Sequence, residues 1–254
     1  MIIKHNGSIL KLNGTVLKGQ RKTPSPIYHW TFNNTLYDEV QNVPFTTTGT
    51  AYYDTGKVGN AIVFGGGVTT GNEIGATNSA IWDVFQNNNP WTISWWQYMT
   101  YPSQQYPAYL DEALTSIVIE IGAGGGGYIS SYATYQEQYN NYFDSRRTNN
   151  QVGSDHNWDF SLNTWYNIVL GYDGATFYGW VNNGNITISP ASISSTTSLG
   201  TSFTSFIIRS EIYYWLNGGP NAYSGRCRVD ALRIYDTLLN AEERAVLWNG
   251  GAGI

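Results

Sequence analysis

Between Ile27 and about Asn240 the chain alternates short apolar runs with clusters of Gly, Asn, Asp and Ser, and the runs carry the two-residue period of half-buried strands. This pattern predicts strands over Ile27–Phe32, Ala61–Phe64, Trp91–Tyr98, Ser116–Ile121, Tyr166–Tyr172, Thr176–Val181, Ser205–Arg209 and Arg226–Tyr235. In the third, Trp91, Ile93 and Trp95 alternate with Thr92, Ser94 and Trp96, so one set faces a core and the other faces out. Val229, Leu232, Ile234 and Tyr235 predict a late core strand with the carboxylate of Asp230 near its start. Tyr172-Asp173-Gly174 and Asn182-Asn183-Gly184 predict tight turns that need φ > 0. Short strands with frequent turns predict an all-β sandwich or jelly roll.

A helix is predicted only at the end of this region. Asn240-Ala241-Glu242-Glu243 forms a capping box ahead of Arg244–Trp248, and Gly250 and Gly251 stop the helix. Ala245, Leu247 and Trp248 supply the face that docks it.

The start of the chain has a different rhythm. Asn6-Gly7-Ser8-Ile9-Leu10-Lys11 and Asn13-Gly14-Thr15-Val16-Leu17-Lys18 repeat one motif at a seven-residue step, with Asn-Gly marking two-residue hairpin turns. The expected product is a three-stranded meander over Ile2–His5, Ser8–Leu12 and Thr15–Lys18. Strands this short are marginal alone in water. The apolar residues Ile2, Ile3, Ile9, Leu10, Leu12, Val16 and Leu17 therefore need a cover, and the arm is expected to dock on another surface in an assembly. Two prolines in Arg21-Lys22-Thr23-Pro24-Ser25-Pro26 keep that stretch extended. The resulting division is an anchoring arm over 1–20, a linker over 21–26 and a sandwich over 27–254.

Composition changes this picture in three ways. Charged residues make up 12% of the 254 and the net charge is −5, so there is no electrostatic case for nucleic acid or an anionic membrane surface. Cys227 is the single cysteine, which rules out an internal disulfide framework; no apolar segment near Met1 reads as a signal peptide and none approaches a membrane span. The chain is therefore expected to be made in a cytoplasm. The 20 Tyr and 10 Trp suit both wet interfaces and carbohydrate sites.

Catalytic constellations are thin. Glu120 stands alone in Ile117–Ile121, and Asp111-Glu112 would point to opposite faces of a strand, so neither supplies the carboxylate pair of a glycosidase. Gly122–Gly127 matches a G-x-G-x-x-G string without the helix and acidic residue of a dinucleotide site, and is expected to be a turn. The three histidines have no zinc spacing. Aromatics are the better candidates. Trp96, Tyr98, Tyr101, Tyr132 and Tyr135 lie among Ser, Gln and Asn, offering faces to sugar C–H groups beside hydrogen-bonding partners. Arg146 and Arg147 add guanidinium groups suited to acidic sugars. The same residue types also suit protein contacts.

Several segments in order resemble the LamG-like jelly roll of the concanavalin A-like lectin/glucanase superfamily. They are Tyr28–Glu39, Gly56–Phe64, Pro90–Trp96, Thr164–Gly174 with Tyr178–Gly184, and Val229–Tyr235 leading into Leu239–Arg244. The resemblance covers about residues 27–251 and implies the sandwich, to which the residue pattern adds a short β-meander arm before it and a short helix at its end. It also implies a structural Ca²⁺ at Asp38 and Asp230, whose alternative roles are a turn cap for Asp38 and a partner of Arg233 or a strand-end cap for Asp230. With the arm, the chain resembles surface proteins of tailed bacteriophages, including the crAss-like group. That likeness implies a non-enzymatic virion protein (capsid decoration, head fibre or tail component) displayed on the virion surface, partnered by other virion proteins and by host or mucosal glycans. A homo-oligomer, a trimer with three arms wound together, belongs to this expectation. The alternative is a carbohydrate-binding module with no virion role.

Overall fold

The computed structural model describes residues 10–12, 15–17, 25–47, 50–64, 73–76, 81, 83–84, 89–99, 114–122, 128–134, 143–147, 150–154, 163–186, 205–216, 219–223 and 227–254. Strands β1 (Leu10–Leu12) and β2 (Thr15–Leu17) pair antiparallel with Leu12 opposite Thr15, the register of a two-residue Asn13-Gly14 connection. They form a two-stranded sheet of their own. The expected first strand Ile2–His5 with Ile2 and Ile3, the expected turn at Asn6 and Gly7, and Ile9 of the expected second strand lie outside the described residues.

Two larger antiparallel sheets make a jelly-roll β-sandwich. The first sheet is built from β3 (Tyr28–Trp30), β5 (Tyr52–Thr55), β6 (Asn60–Phe64), β8 (Trp91–Met99), β13 (Trp165–Tyr172), β14 (Phe177–Val181), β15 (Gly184–Ile186) and β18 (Cys227–Tyr235), in the order β15-β14-β13-β8-β18-β6-β5 with β3 also beside β18. The second is built from β4 (Thr46–Thr47), β7 (Glu73–Ala76), β9 (Leu114–Gly122), β10 (Tyr128–Thr134), β11 (Phe143–Arg147), β12 (Asn150–Ser154), β16 (Ser205–Leu216) and β17 (Gly219–Tyr223), in the order β12-β11-β10-β9-β16-β7-β4 with β17 beside β16. Long strands run past their expected ends, most of all β16, which continues beyond Arg209 to Leu216 where it pairs with β9 and β17. The strands on either side of the glycine-rich string, β9 and β10, pair antiparallel, and residues 123–127 between them lie outside the described residues.

The core lies between the sheets. Trp91, Ile93, Trp95, Ile168, Leu170 and Tyr172 pack there with Trp30, Phe32 and Phe45 and with Ile74 of the second sheet. Register then assigns the faces of the second sheet. Ile74 is opposite Ile208, Ile208 opposite Ile119, and Ile119 opposite Ile129, so these positions share one face.

In β18 the alternation slips. The register shifts between Asp230 and Arg233, and Ala231 takes φ +49°, so one extra residue is accommodated. The bulge returns Leu232 and Ile234 to the core face, which strict alternation from Val229 would deny them. It also sends Tyr235, expected in that core, to the opposite face, where it packs with Leu239, Leu247 and Ile254.

The C-terminal helix, Ala241–Trp248, starts as expected. The Asn240 side chain accepts from the Glu242 and Glu243 amides at 2.9 and 3.0 Å, and Glu243 accepts from the Asn240 amide at 2.9 Å. Its end differs in one detail, because Asn249, ahead of the glycines, takes the left-handed cap at φ +46°. The expected turn at 182–184 also shifts, with positive φ at Asn182 and Asn183 and Gly184 already in β15.

Candidate functional site

The face of the first sheet turned away from the core has two ends with different fates. At one end the C-terminal segment covers it. Thr92 Oγ1 donates to the Thr237 carbonyl at 2.7 Å and accepts from the Leu239 amide at 3.0 Å, fixing the chain as it leaves β18. Trp248 stacks on Trp96 with ring centroids 5.4 Å apart and 15° between planes. Lys57 Nζ lies 4.9 Å from the Trp96 ring centroid, and a Cβ on Gly253 would come 3.2 Å from Trp96 Nε1. Arg244 lies over Trp180 at 3.7 Å and donates to the Leu239 carbonyl, while Arg233 donates to the Ile254 carbonyl at 2.5 Å.

Trp96 therefore corrects the sequence expectation. It occupies the outward alternation position, but only 1% of it is exposed, so it offers no open ring to a sugar. Alternation sets the face of a residue; the helix decides whether that face is wet.

At the other end the same face is partly exposed among the described residues. Trp165 is opposite Tyr98, Tyr98 opposite Arg228, Arg228 opposite Val63, and Val63 opposite Tyr52. Five adjacent strands, β13, β8, β18, β6 and β5, thus contribute one residue each to a single cross-strand row. Trp165, Tyr98, Arg228 and Val63 are half-buried, and Tyr52 is 59% exposed. Tyr98 and Trp165 meet at 5.2 Å between centroids with their planes tilted by 44°. The Arg228 guanidinium lies 5.1 Å from the Tyr98 centroid, pairs with Asp54 at 2.5 Å and donates to the Thr55 carbonyl at 2.9 Å. The row combines aromatic faces with a guanidinium and an exposed carboxylate, the combination that takes C–H faces and hydroxyls together.

Of the seven residues expected in a glycan site, Tyr98 is in this row. Tyr101 and Tyr135 lie outside the described residues. Tyr132 is opposite Ser116, and Arg146 opposite Tyr128, both at positions of the second sheet that alternate with the Ile74 face. Arg147 follows Arg146 on the same strand and so falls on the other face from it. The expected residues thus divide between two sheets and do not make one site. Trp165, Arg228, Asp54 and Tyr52 were missed, because single-sequence alternation shows none of the strand pairing that aligns them.

The two expected calcium ligands serve separate backbone segments. The buried Asp38 carboxylate accepts from the His29 and Gln41 amides. Asp230, also buried, accepts at Oδ2 from the Lys57 and Val58 amides at 2.7 and 2.8 Å, and its Oδ1 makes no hydrogen bond. Burial pushes Asp230 up to about 6 against the pull of those amides and of Arg233. Asp38 is thereby the turn cap of the alternative reading, while Asp230 clamps the Gly56–Gly59 turn. A Cβ at Gly56 would come 2.6 Å from Asp230 Oδ2, so that close approach requires glycine.

Amide donors and the neighbouring cations Lys57 and Arg233 do not make a hard-cation cage, and among the described residues no three His, Cys, Asp or Glu side chains cluster. The residues present do not fit a shared Ca²⁺. His29 lies 3.8 Å from Glu39, and burial, with Arg233 nearby, lowers it to about 3, leaving it neutral at ordinary pH.

Neither a family model nor a curated protein matches the sequence. Among solved structures the chain is similar to domain 4 of AbnA, a GH43 extracellular arabinanase from Geobacillus stearothermophilus, in complex with arabinotriose. The TM-score is 0.59 at 19% identity, covering 87% of this chain and 97% of that one. It is also similar to botulinum neurotoxin type C, for which cell entry is described as dependent on two ganglioside molecules (TM-score 0.63, 12% identity, 88% of this chain and 50% of that one). The binding domain of botulinum neurotoxin DC in complex with SialylT is a further likeness (TM-score 0.58, 12% identity, 88% and 50%). The chain spans about half the length of these neurotoxin structures. At these identities the likeness establishes the fold, a jelly-roll β-sandwich.

Proposed function

We propose that this is a non-catalytic carbohydrate-binding domain whose sugar surface is the open row Trp165–Tyr98–Arg228–Val63–Tyr52. The observation that carries the reading is the row itself, with three aromatic rings and an Arg228–Asp54 pair aligned across five strands and partly exposed among the described residues, whereas Trp96 on the same face is sealed. The similar arabinanase domain in complex with arabinotriose supports it. Glu120 has Val118 and Gly122 two positions away on β9, so the strand itself supplies no second carboxylate for turnover.

Affinity electrophoresis in gels carrying soluble polysaccharides tests the proposal. Retardation by at least one polysaccharide is expected, and the Tyr98→Ala, Trp165→Ala double variant is expected to migrate freely while keeping its far-UV spectrum. Unchanged retardation of that variant would remove the row from the site.

A second reading, display on a bacteriophage virion surface through residues 1–20, draws on the β1–β2 hairpin, which among the described residues pairs with neither sandwich sheet. Its test is cosedimentation with stripped phage particles. The full chain pellets and a variant lacking residues 1–26 does not, if the arm is an anchor. The two readings are compatible, since many displayed copies amplify weak sugar binding.

A further inference from the structure

Resting on the carbohydrate-binding reading, we infer that the open row takes an uncharged linear oligosaccharide of about four residues, laid across the strands rather than along them. The direction follows from the register. The aromatic rings do not run down one strand; they sit on β13, β8 and β5, with Arg228 and Val63 on the two strands between. Neighbouring strands lie ~4.8 Å apart, so five strands span ~19 Å, a length that accepts about four consecutive sugar rings.

The charge state of the row selects the ligand class. Arg228 is its one cation, and that charge is already matched by Asp54 at 2.5 Å and by the Thr55 carbonyl at 2.9 Å. An acidic sugar at Arg228 would have to displace Asp54, breaking the existing ion pair, or sit beside it in a like-charge contact. Sugar hydroxyls have no such conflict, because they donate to the carboxylate and accept from the guanidinium without breaking the pair. The Tyr98–Trp165 end offers the larger aromatic area, and Tyr52 on the edge strand β5 forms the far end. Nothing described lies beyond β5 in the sheet, so a longer chain runs past that end.

Isothermal titration of the full chain with arabino- and cello-oligosaccharides of about two to six residues, and with oligogalacturonides of the same lengths, tests this. The expected result is affinity for one neutral series that rises with length to about four residues and then levels. The acidic series is expected to bind at least tenfold more weakly. Tyr52→Ala, a change at an exposed position, is expected to weaken the tetrasaccharide about fivefold and leave the disaccharide unchanged.

Equal affinity for dimer and hexamer, a tighter acidic series, or an equal loss at every length in Tyr52→Ala would overturn this inference while leaving carbohydrate binding in place. Absence of binding by every saccharide, together with free migration in every polysaccharide gel, would overturn the carbohydrate reading itself and the inference with it.

Discussion

Trp96 and Tyr98 stand two residues apart on β8 and face the same way, yet one is sealed and the other is only half-buried. Trp248, Lys57 and Gly253 close over Trp96, whereas Tyr98 is flanked by Trp165 and Arg228 in the plane of the sheet. The covered end behaves as a second small core, with Tyr235, Leu239 and Leu247 buried beneath the helix. The open end keeps its polar partners at the surface. The strand pattern is the same at both ends, so the difference comes from what the C-terminal segment and Lys57 reach.

The contrast is most exposed to a pair of truncations. Trp96→Ala is expected to cost about 3–5 kcal/mol in urea unfolding, as for other buried aromatic deletions, and Tyr98→Ala about 1 kcal/mol. Equal costs at the two positions would erase the distinction between a sealed and an open end.

Asp230 gives the next largest effect. Its carboxyl is raised from 3.8 to about 6 in the fold, so its contribution favours the native state below about pH 4 and is lost as pH rises through 6. Measured against Asp230→Asn, the wild-type stability is expected to fall between these values, by at most ~1.4 kcal/mol for each pH unit. A flat difference would mean that the carboxylate is better solvated than the covered end implies.

Loosening the cover comes third. Asn240→Ala removes the capping box and is expected to cost about 1 kcal/mol. The same variant is expected to increase quenching of tryptophan emission by acrylamide as Trp96 and Trp248 separate. The smallest effect belongs to the open end. Asp54→Asn breaks a pair whose carboxylate is half exposed, and the loss of stability is expected to stay below about 1 kcal/mol.

Much of the sandwich is legible in the chain because its strands are two-faced. Trp91, Ile93 and Trp95 announce a core face by alternation alone, and Asn240 with Glu243 announces a helix start through local hydrogen bonds. Both are signals carried within a few residues. The bulge at Ala231 defeats the same reasoning, since one extra residue reverses the alternation and moves Tyr235 from the expected core to the helix interface. The grouping of Trp96, Tyr98, Tyr132, Arg146 and Arg147 fails for a related reason. Closeness in sequence or shared chemistry does not say which sheet a strand joins, and the register divides these residues between two sheets.

Local sequence determined the strand alternation, the turns at Gly174 and Asn182–Asn183 and the capped helix, because each depends on backbone preferences and contacts a few residues long. Tertiary structure alone decided that Tyr52, Val63, Arg228, Tyr98 and Trp165 form one row, and that Trp96 is closed while Tyr98 is not. Those outcomes join residues up to 176 positions apart, such as Tyr52 and Arg228, through strand pairing and helix docking that no local preference encodes.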